Sequence, residues 1–196
     1  MLMAVSGSSA SYPTNFDGPV GGEAPYPAAA MGAGSREILS GEAVMTDIVT
    51  SYNGYHSDNA RDFFTGPEPP RELLDAHEFC TDIISEIESA ARPGRICSDV
   101  FKEIDALAKK RGEPQGFMGF GKNRVKFFGH GVGLELDELP VIADRVDIEI
   151  VPGMIIAVEP KAFLPHIGPA GIENTYVVEE NGLSSLCGHP RRLIDV

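Results

Sequence analysis

With 196 residues, 42% of them hydrophobic and 23% charged, the chain has the size and balance of one soluble globular domain with a substantial core. Its 29 acidic side chains outnumber 16 basic ones for a net charge of −13, and so acidic a surface repels phosphate backbones, which argues against nucleic-acid binding. No apolar run reaches membrane-spanning length, the start lacks a signal-peptide pattern, and three scattered cysteines (Cys80, Cys97, Cys187) fit neither a zinc knuckle nor a redox pair, so a cytoplasmic protein without membrane contact is expected.

Residues 1–36 are rich in Gly, Ser, Ala and Pro with little periodicity, and are expected to be an irregular lead-in to a folded domain over 37–196. From Glu42 to Phe64 two short runs flank Asn53-Gly54. A type I′ turn needs positive φ at both central positions, which Asn-Gly tolerates, so a hairpin is predicted. Pro67, Pro69 and Pro70 end the strand pattern and open a helix. Its apolar positions, among them Leu73, Cys80, Ile83, Ile84, Ile87 and Ala90, recur at a period of about 3.6 until Pro93-Gly94. A second helix is predicted with Ser98 as its N-cap, Val100, Ile104, Leu107 and Ala108 on one face and Gly112 at its end. The remainder reads as strands: a Gly-punctuated stretch from Val125 to Leu139, apolar runs Met154 to Val158 and Ile172 to Val178, and a turn at Asn181-Gly182. Strands, two amphipathic helices, then strands again predict an α+β domain with helices covering one face of a mostly antiparallel sheet.

The hairpin carries a chemical signal. With Asn53 and Gly54 as turn residues, Tyr52 faces Tyr55, Thr50 faces Ser57 and Val49 faces Asp58. Asp47 shares the parity of Val49, so Asp47 and Asp58 project from one side as diagonal neighbours about 7–8 Å apart. Two buried carboxylates that close together need a proton or a cation between them. The alternative is that Asp58 faces water or pairs with Arg61, since a one-residue slip in the turn would reverse the face.

The segment from Asp47 to Arg61 resembles the metal-binding hairpin of the pita-bread metallopeptidases, the family of methionine aminopeptidase, aminopeptidase P and prolidase. Three later stretches agree in order. Phe128-Gly-His130-Gly-Val-Gly133 is similar to the family's histidine-ligand strand, Pro152 to Glu159-Pro160 to its first glutamate motif, and Gly171-Ile-Glu173-Asn-Thr-Tyr to its second. The run after His130, with Leu139-Pro140, is nearest the aminopeptidase P and prolidase branch. The resemblance implies a pita-bread (creatinase/aminopeptidase-like) fold, N-terminally shortened, since family peptidases have a longer stretch before the first Asp; sheet surface uncovered by that loss would favour a homodimer. It also implies two divalent metal ions. Asp47 and Asp58 would hold one, His130 and Glu159 the other, with Asp58 and Glu173 bridging and Glu159 as general base beside a bridging hydroxide nucleophile. One imidazole and four carboxylates form a hard, oxygen-rich set that suits Mn²⁺, with Co²⁺ or Zn²⁺ as alternatives. Ions about 3.5–4 Å apart would lower the pKa of the shared hydroxide and polarise the scissile carbonyl of a peptide substrate, here an Xaa-Pro bond near the N-terminus.

The sequence also departs from the family pattern. Seven residues after His130 the family has a second histidine that donates to the tetrahedral intermediate or the substrate carbonyl; here Asp137 stands there, an acceptor when ionised, and is a catalytic candidate. No histidine occurs over Ala28 to Gly34, where another family histidine lies, and Gly171 replaces an arginine often found two residues before the last glutamate. His166 sits in a loop that could reach the site, though an exposed loop histidine is the plainer reading. Cys80 and Cys187 read as small buried hydrophobes. Two other functions stay open: a catalytically impaired binding module, as in histone-chaperone relatives, and a hydrolase of a non-peptide C–N bond, as in creatinase, which works without metal.

Overall fold

The computed structural model describes residues 2–11, 18–22 and 34–195. In chain order the strands and helices are β1 (Leu2–Ser6), β2 (Ala43–Tyr52), β3 (Tyr55–Phe64), α1 (Arg71–Ala90), α2 (Cys97–Arg111), β4 (Phe127–Gly131), β5 (Glu138–Ala143), β6 (Ile155–Val158), β7 (Lys161–Leu164), β8 (Gly168–Gly171), β9 (Asn174–Glu179), β10 (Gly182–Ser185) and β11 (Ile194–Asp195). One sheet has the order β1-β2-β3-β11, a second β10-β9-β6-β4-β5, and β7 and β8 form a ribbon of their own. Pairings are antiparallel except β11 on β3. The α+β expectation, mostly antiparallel, holds.

The hairpin is the one read from its turn. Asn53 and Gly54 have φ of 52° and 86°, and Tyr52 pairs with Tyr55, Thr50 with Ser57 and Val49 with Asp58. Both helices form where the period placed them. In α1 the buried positions are Leu73, Ala76, His77, Cys80, Ile83, Ile84, Ile87 and Ala90, a stripe of three- and four-residue steps. In α2 the stripe is Val100, Ile104 and Ala108, and Gly112 closes the helix at φ 78°, just past three basic residues that suit its negative end. These stripes pack with Phe128, Ile142, Ile156, Val158 and Tyr176 of the second sheet, where each fully buried isoleucine contributes roughly 1.5–3 kcal/mol.

Three details differ from expectation. Within the lead-in 1–36, expected to be irregular, Leu2–Ser6 is a strand that pairs with β2 and buries Met3 and Val5. Five residues, two of them Ala and Ser, are too few to display a period of two. Ser98 is not the N-cap of α2; Ile96 is, and Ser98 lies inside the first turn with Oγ 2.7 Å from Asp147 Oδ1. The first N–H groups of that helix are met by backbone instead, Cys97 N donating to Ile148 O and Ser98 N to Val146 O, so no capping side chain is needed. The β7–β8 ribbon was not anticipated, because Gly168-Pro-Ala-Gly171 lacks the β-branched residues that mark a strand.

Backbone and side-chain hydrogen bonds join the sheets and the C-terminal segment. Ala60 and Glu173 exchange backbone hydrogen bonds of 3.3 and 3.2 Å, tying β3 to the start of β9. Behind them Arg61 donates to Glu173 O and Asn174 Oδ1 at 2.7 Å, and to Pro190 O and His189 O. Beside them the fully buried Asp62 accepts from His77 Nδ1 at 3.0 Å and from Gly171 N, while His77 Nε2 donates to Arg191 O at 2.7 Å. Both imidazole nitrogens thus face acceptors. Burial pushes the His77 pKa down, but the hydrogen bond and charge of Asp62 prevail and raise it. Removing one partner of such a pair strands the other without compensation. His77→Ala is therefore expected to destabilise the protein by about 3 kcal/mol in urea unfolding at pH 7, and a loss below about 1 kcal/mol would contradict this account of the pair.

Candidate metal centre

Five side chains singled out in the sequence meet at one point. Asp47 comes from β2 and Asp58 from β3, on one face as their parity requires. His130 lies in β4 opposite Ala157 of β6, and β6 pairs with β9 so that Val158 faces Asn174. Glu159 and Glu173 therefore stand side by side, at the end of one strand and just before the next. The Ala60–Glu173 bridge brings the hairpin against them. His130 Nε2 is 3.7 Å from Glu159 Oε1 and 3.9 Å from Asp58 Oδ2, and ligand atoms of Asp58, His130 and Glu173 lie within 4.8 Å of one another. All are buried except Asp47, which is half-buried. The alternative pairing of Asp58 with Arg61 is not found: residues three apart on a strand point to opposite faces, and Arg61 bonds behind the hairpin.

A sixth residue escaped the sequence reading. Lys161 Nζ lies 3.0 Å from Asp47 Oδ2 and 2.8 Å from both Glu159 Oε2 and Glu173 Oε2, with the side chain fully enclosed. Its spacing of two from Glu159 was the available signal, since strand parity puts both on one face. Burial by itself would push the ammonium pKa down, but Asp47, Glu159, Glu173 and Asp58 hold it well above the ordinary lysine value. Burial drives the Asp58 pKa up to about 8, helped by the charges of Asp47 and Glu159 and opposed by Lys161. Glu173 is likewise pushed well above the carboxylate range, by burial first and then by Glu159, Asp47 and Asp58, again against Lys161. One ammonium does not satisfy this much buried negative charge.

The donor set fits a divalent cation beside Lys161. Among the described residues Asp58 Oδ1 is buried without a hydrogen-bond partner, and the Asp58 carboxylate lies beside the His130 imidazole and the Glu173 carboxylate, a hard oxygen-rich set.

Asp137 stands behind this point. Its Oδ1 is 3.3 Å from His130 Nδ1, which also lies 3.0 Å from Gly131 O, and its side chain is exposed. His166 is exposed in the turn joining β7 and β8, at the opposite end of that ribbon from Lys161. Cys80 is fully buried as expected, but Cys187 is half-buried and takes polar contacts, Thr175 N donating to its Sγ at 3.3 Å. With His56, Asn59 and Leu186 it lines a cleft of about 520 Å³.

Comparison with known proteins identifies the family of the chain. The family model of metallopeptidase family M24 matches residues 6–180. The chain is 32% identical over 162 residues to the Xaa-Pro dipeptidase of Pyrococcus furiosus, covering 83% of this chain and 44% of that relative. It shares the fold of the X-Pro aminopeptidase of Thermotoga maritima (TM-score 0.78, 22% identity, 100% of this chain and 49% of that one). It is also similar to a dipeptidase of Pyrococcus horikoshii (TM-score 0.77, 26% identity, 100% and 48%). The architecture is thus the pita-bread fold, and the chain spans less than half the length of the relatives it matches.

The raised pKa of Asp58 sets a pH dependence. Its folded value of about 8 lies above its ordinary 3.8, so the native state binds more protons than the unfolded chain between those limits. The stabilisation is complete below pH 3.8 and is lost as pH climbs to about 8. In chelator, Asp58→Asn is expected to flatten that decline in urea-unfolding free energy; an unchanged slope would show that Asp58 does not carry it.

Proposed function

The chain belongs to metallopeptidase family M24, and from that membership we propose that it is a metal-dependent hydrolase of a peptide bond next to proline, in the manner of aminopeptidase P or prolidase. The observation that carries this reading is the convergence of Asp47, Asp58, His130, Glu159 and Glu173, from both sheets, on one buried point. The proline preference rests on the relatives, one of them an Xaa-Pro dipeptidase and another an X-Pro aminopeptidase.

Asp58, His130, Glu173 and Oε1 of Glu159 would hold a divalent ion, with Mn²⁺ the best match to the donors and Co²⁺ or Zn²⁺ as alternatives. Such an ion, when bound, lowers the pKa of water and polarises a carbonyl. Glu159 serves as general base: Lys161 anchors its Oε2 at 2.8 Å, while Oε1 is turned toward His130 and can take a proton and return it to the leaving amine. Gly131 O and Asp137 Oδ1, both on the Nδ1 side of His130, keep the ring proton there and turn the Nε2 lone pair toward Asp58 and Glu159. Asp137 is then a positioning residue for the imidazole, not a donor to substrate.

We place the protein in the cytoplasm as a homodimer. Exposed Ile38, Leu39 and Ile48 offer apolar surface for a partner, and among the described residues no helix is long and apolar enough to cross a membrane. A second reading, hydrolysis of a non-peptide C–N bond without metal, draws support from Lys161, which already supplies a cation to the carboxylates.

Purified protein loaded with Mn²⁺ is expected to cleave members of a panel of Xaa-Pro peptides and to lose that activity in chelator. Asp58→Ala should abolish both metal binding and hydrolysis while circular dichroism stays native; activity at the wild-type level would remove the metal mechanism. Asp137→Ala, at an exposed position, should weaken metal affinity by about tenfold in calorimetric titration without loss of folding. An unaltered affinity would deny Asp137 its orienting role.

A further inference from the structure

Within the hydrolase reading, on which this inference rests, the unusual element is Lys161. An ammonium has three N–H donors, and all three are directed at carboxylates: Asp47 Oδ2 at 3.0 Å, Glu159 Oε2 at 2.8 Å and Glu173 Oε2 at 2.8 Å. We propose that Lys161 is a built-in cation standing in place of a second metal ion, so that the centre takes a single divalent ion next to a lysine ammonium.

The geometry divides the cluster in two. Asp47, Glu159 Oε2 and Glu173 Oε2 belong to the ammonium. Asp58, His130 Nε2 and Glu159 Oε1 face one another on the other side, with Asp58 Oδ1 unpartnered among the described residues. Glu159 spans the division, one oxygen to each half. A second metal ion would need the oxygens that Nζ already engages, and it would sit within a few ångströms of a fixed positive charge in a dry site, where repulsion is strong. Charge counting points the same way. The ammonium and one divalent ion bring three positive charges to four carboxylates, whereas two divalent ions beside the ammonium would bring five.

The backbone is also arranged to seat this lysine. Lys161 pairs with Gly171 across the β7–β8 ribbon, and Gly171 has φ of 151°, a conformation side chains rarely adopt. A Cβ at 171 would come within 2.6 Å of Lys161 Cα and 3.0 Å of its Cγ, so the bare position opposite leaves room for the lysine stem. On its other side the Lys161 carbonyl accepts from Met118 N at 2.8 Å. The stem is enclosed in the interior.

The test is metal stoichiometry, which does not depend on turnover. The full chain, equilibrated with excess Mn²⁺ and desalted, is expected to retain one ion per chain by elemental analysis, and Lys161→Ala two. Should Lys161→Ala fail to fold, the electron paramagnetic resonance of Mn²⁺-loaded wild type gives the same decision. The hyperfine pattern of an isolated ion is expected, and the broadened signal of an exchange-coupled pair overturns the inference. Two ions in wild type, or one ion in a folded Lys161→Ala, likewise overturn it while leaving the metal-hydrolase reading in place. No retained ion in wild type removes the metal-hydrolase reading itself.

Discussion

Carboxylates packed together out of water repel one another unless positive charge is placed among them, and much of this molecule is arranged to meet that condition. Asp58, Glu159 and Glu173 are buried and Asp47 is half-buried, all within reach of one ammonium and one imidazole. No single element could deliver them. A hairpin supplies two, the adjacent ends of two strands supply two more, and the Ala60–Glu173 bridge sets the halves in register. The two helices contribute no ligand; they bury the back of the second sheet and so fix the strands that do.

How much of this could be read beforehand depended on whether the controlling interaction was local. The hairpin register followed from Asn53-Gly54, because turn chemistry alone sets which residues face each other, and with it the shared face of Asp47 and Asp58. The helices followed from their apolar stripes. Lys161 did not, because Pro160 stands between it and Glu159 and, having no N–H to give a strand ladder, hides their shared face. Asp62 and His77 were silent for another reason. Their pairing joins a strand to a helix with no spacing rule to reveal it, and a buried aspartate looks the same in sequence as an exposed one. The convergence of His130 and Glu173 with the hairpin was inferred from resemblance, since nothing local links residues so far apart.

The departures from the family pattern have a common physical setting. Where a second histidine would stand, Asp137 touches the Nδ1 side of His130; where an arginine would stand, Gly171 leaves the space that the Lys161 stem fills. A cation held on the main body of the site, beside a cluster that keeps its carboxylates, is a different electrostatic solution from one relying on mobile ions alone.

The acceptors for Arg61 and His77 have a bearing on biosynthesis. Arg61 donates to the carbonyl of His189, 128 residues further on, and His77 to that of Arg191, 114 residues further on. Until residues 189 to 191 are made, the donors that face those carbonyls are left to water, so the hairpin and first helix lack part of the polar pairing of their interior. Residues 189 to 191 must therefore be synthesised before that interface is complete. A nascent chain stalled ahead of residue 189 would present that open interior to chaperones and proteases for the whole duration of the pause.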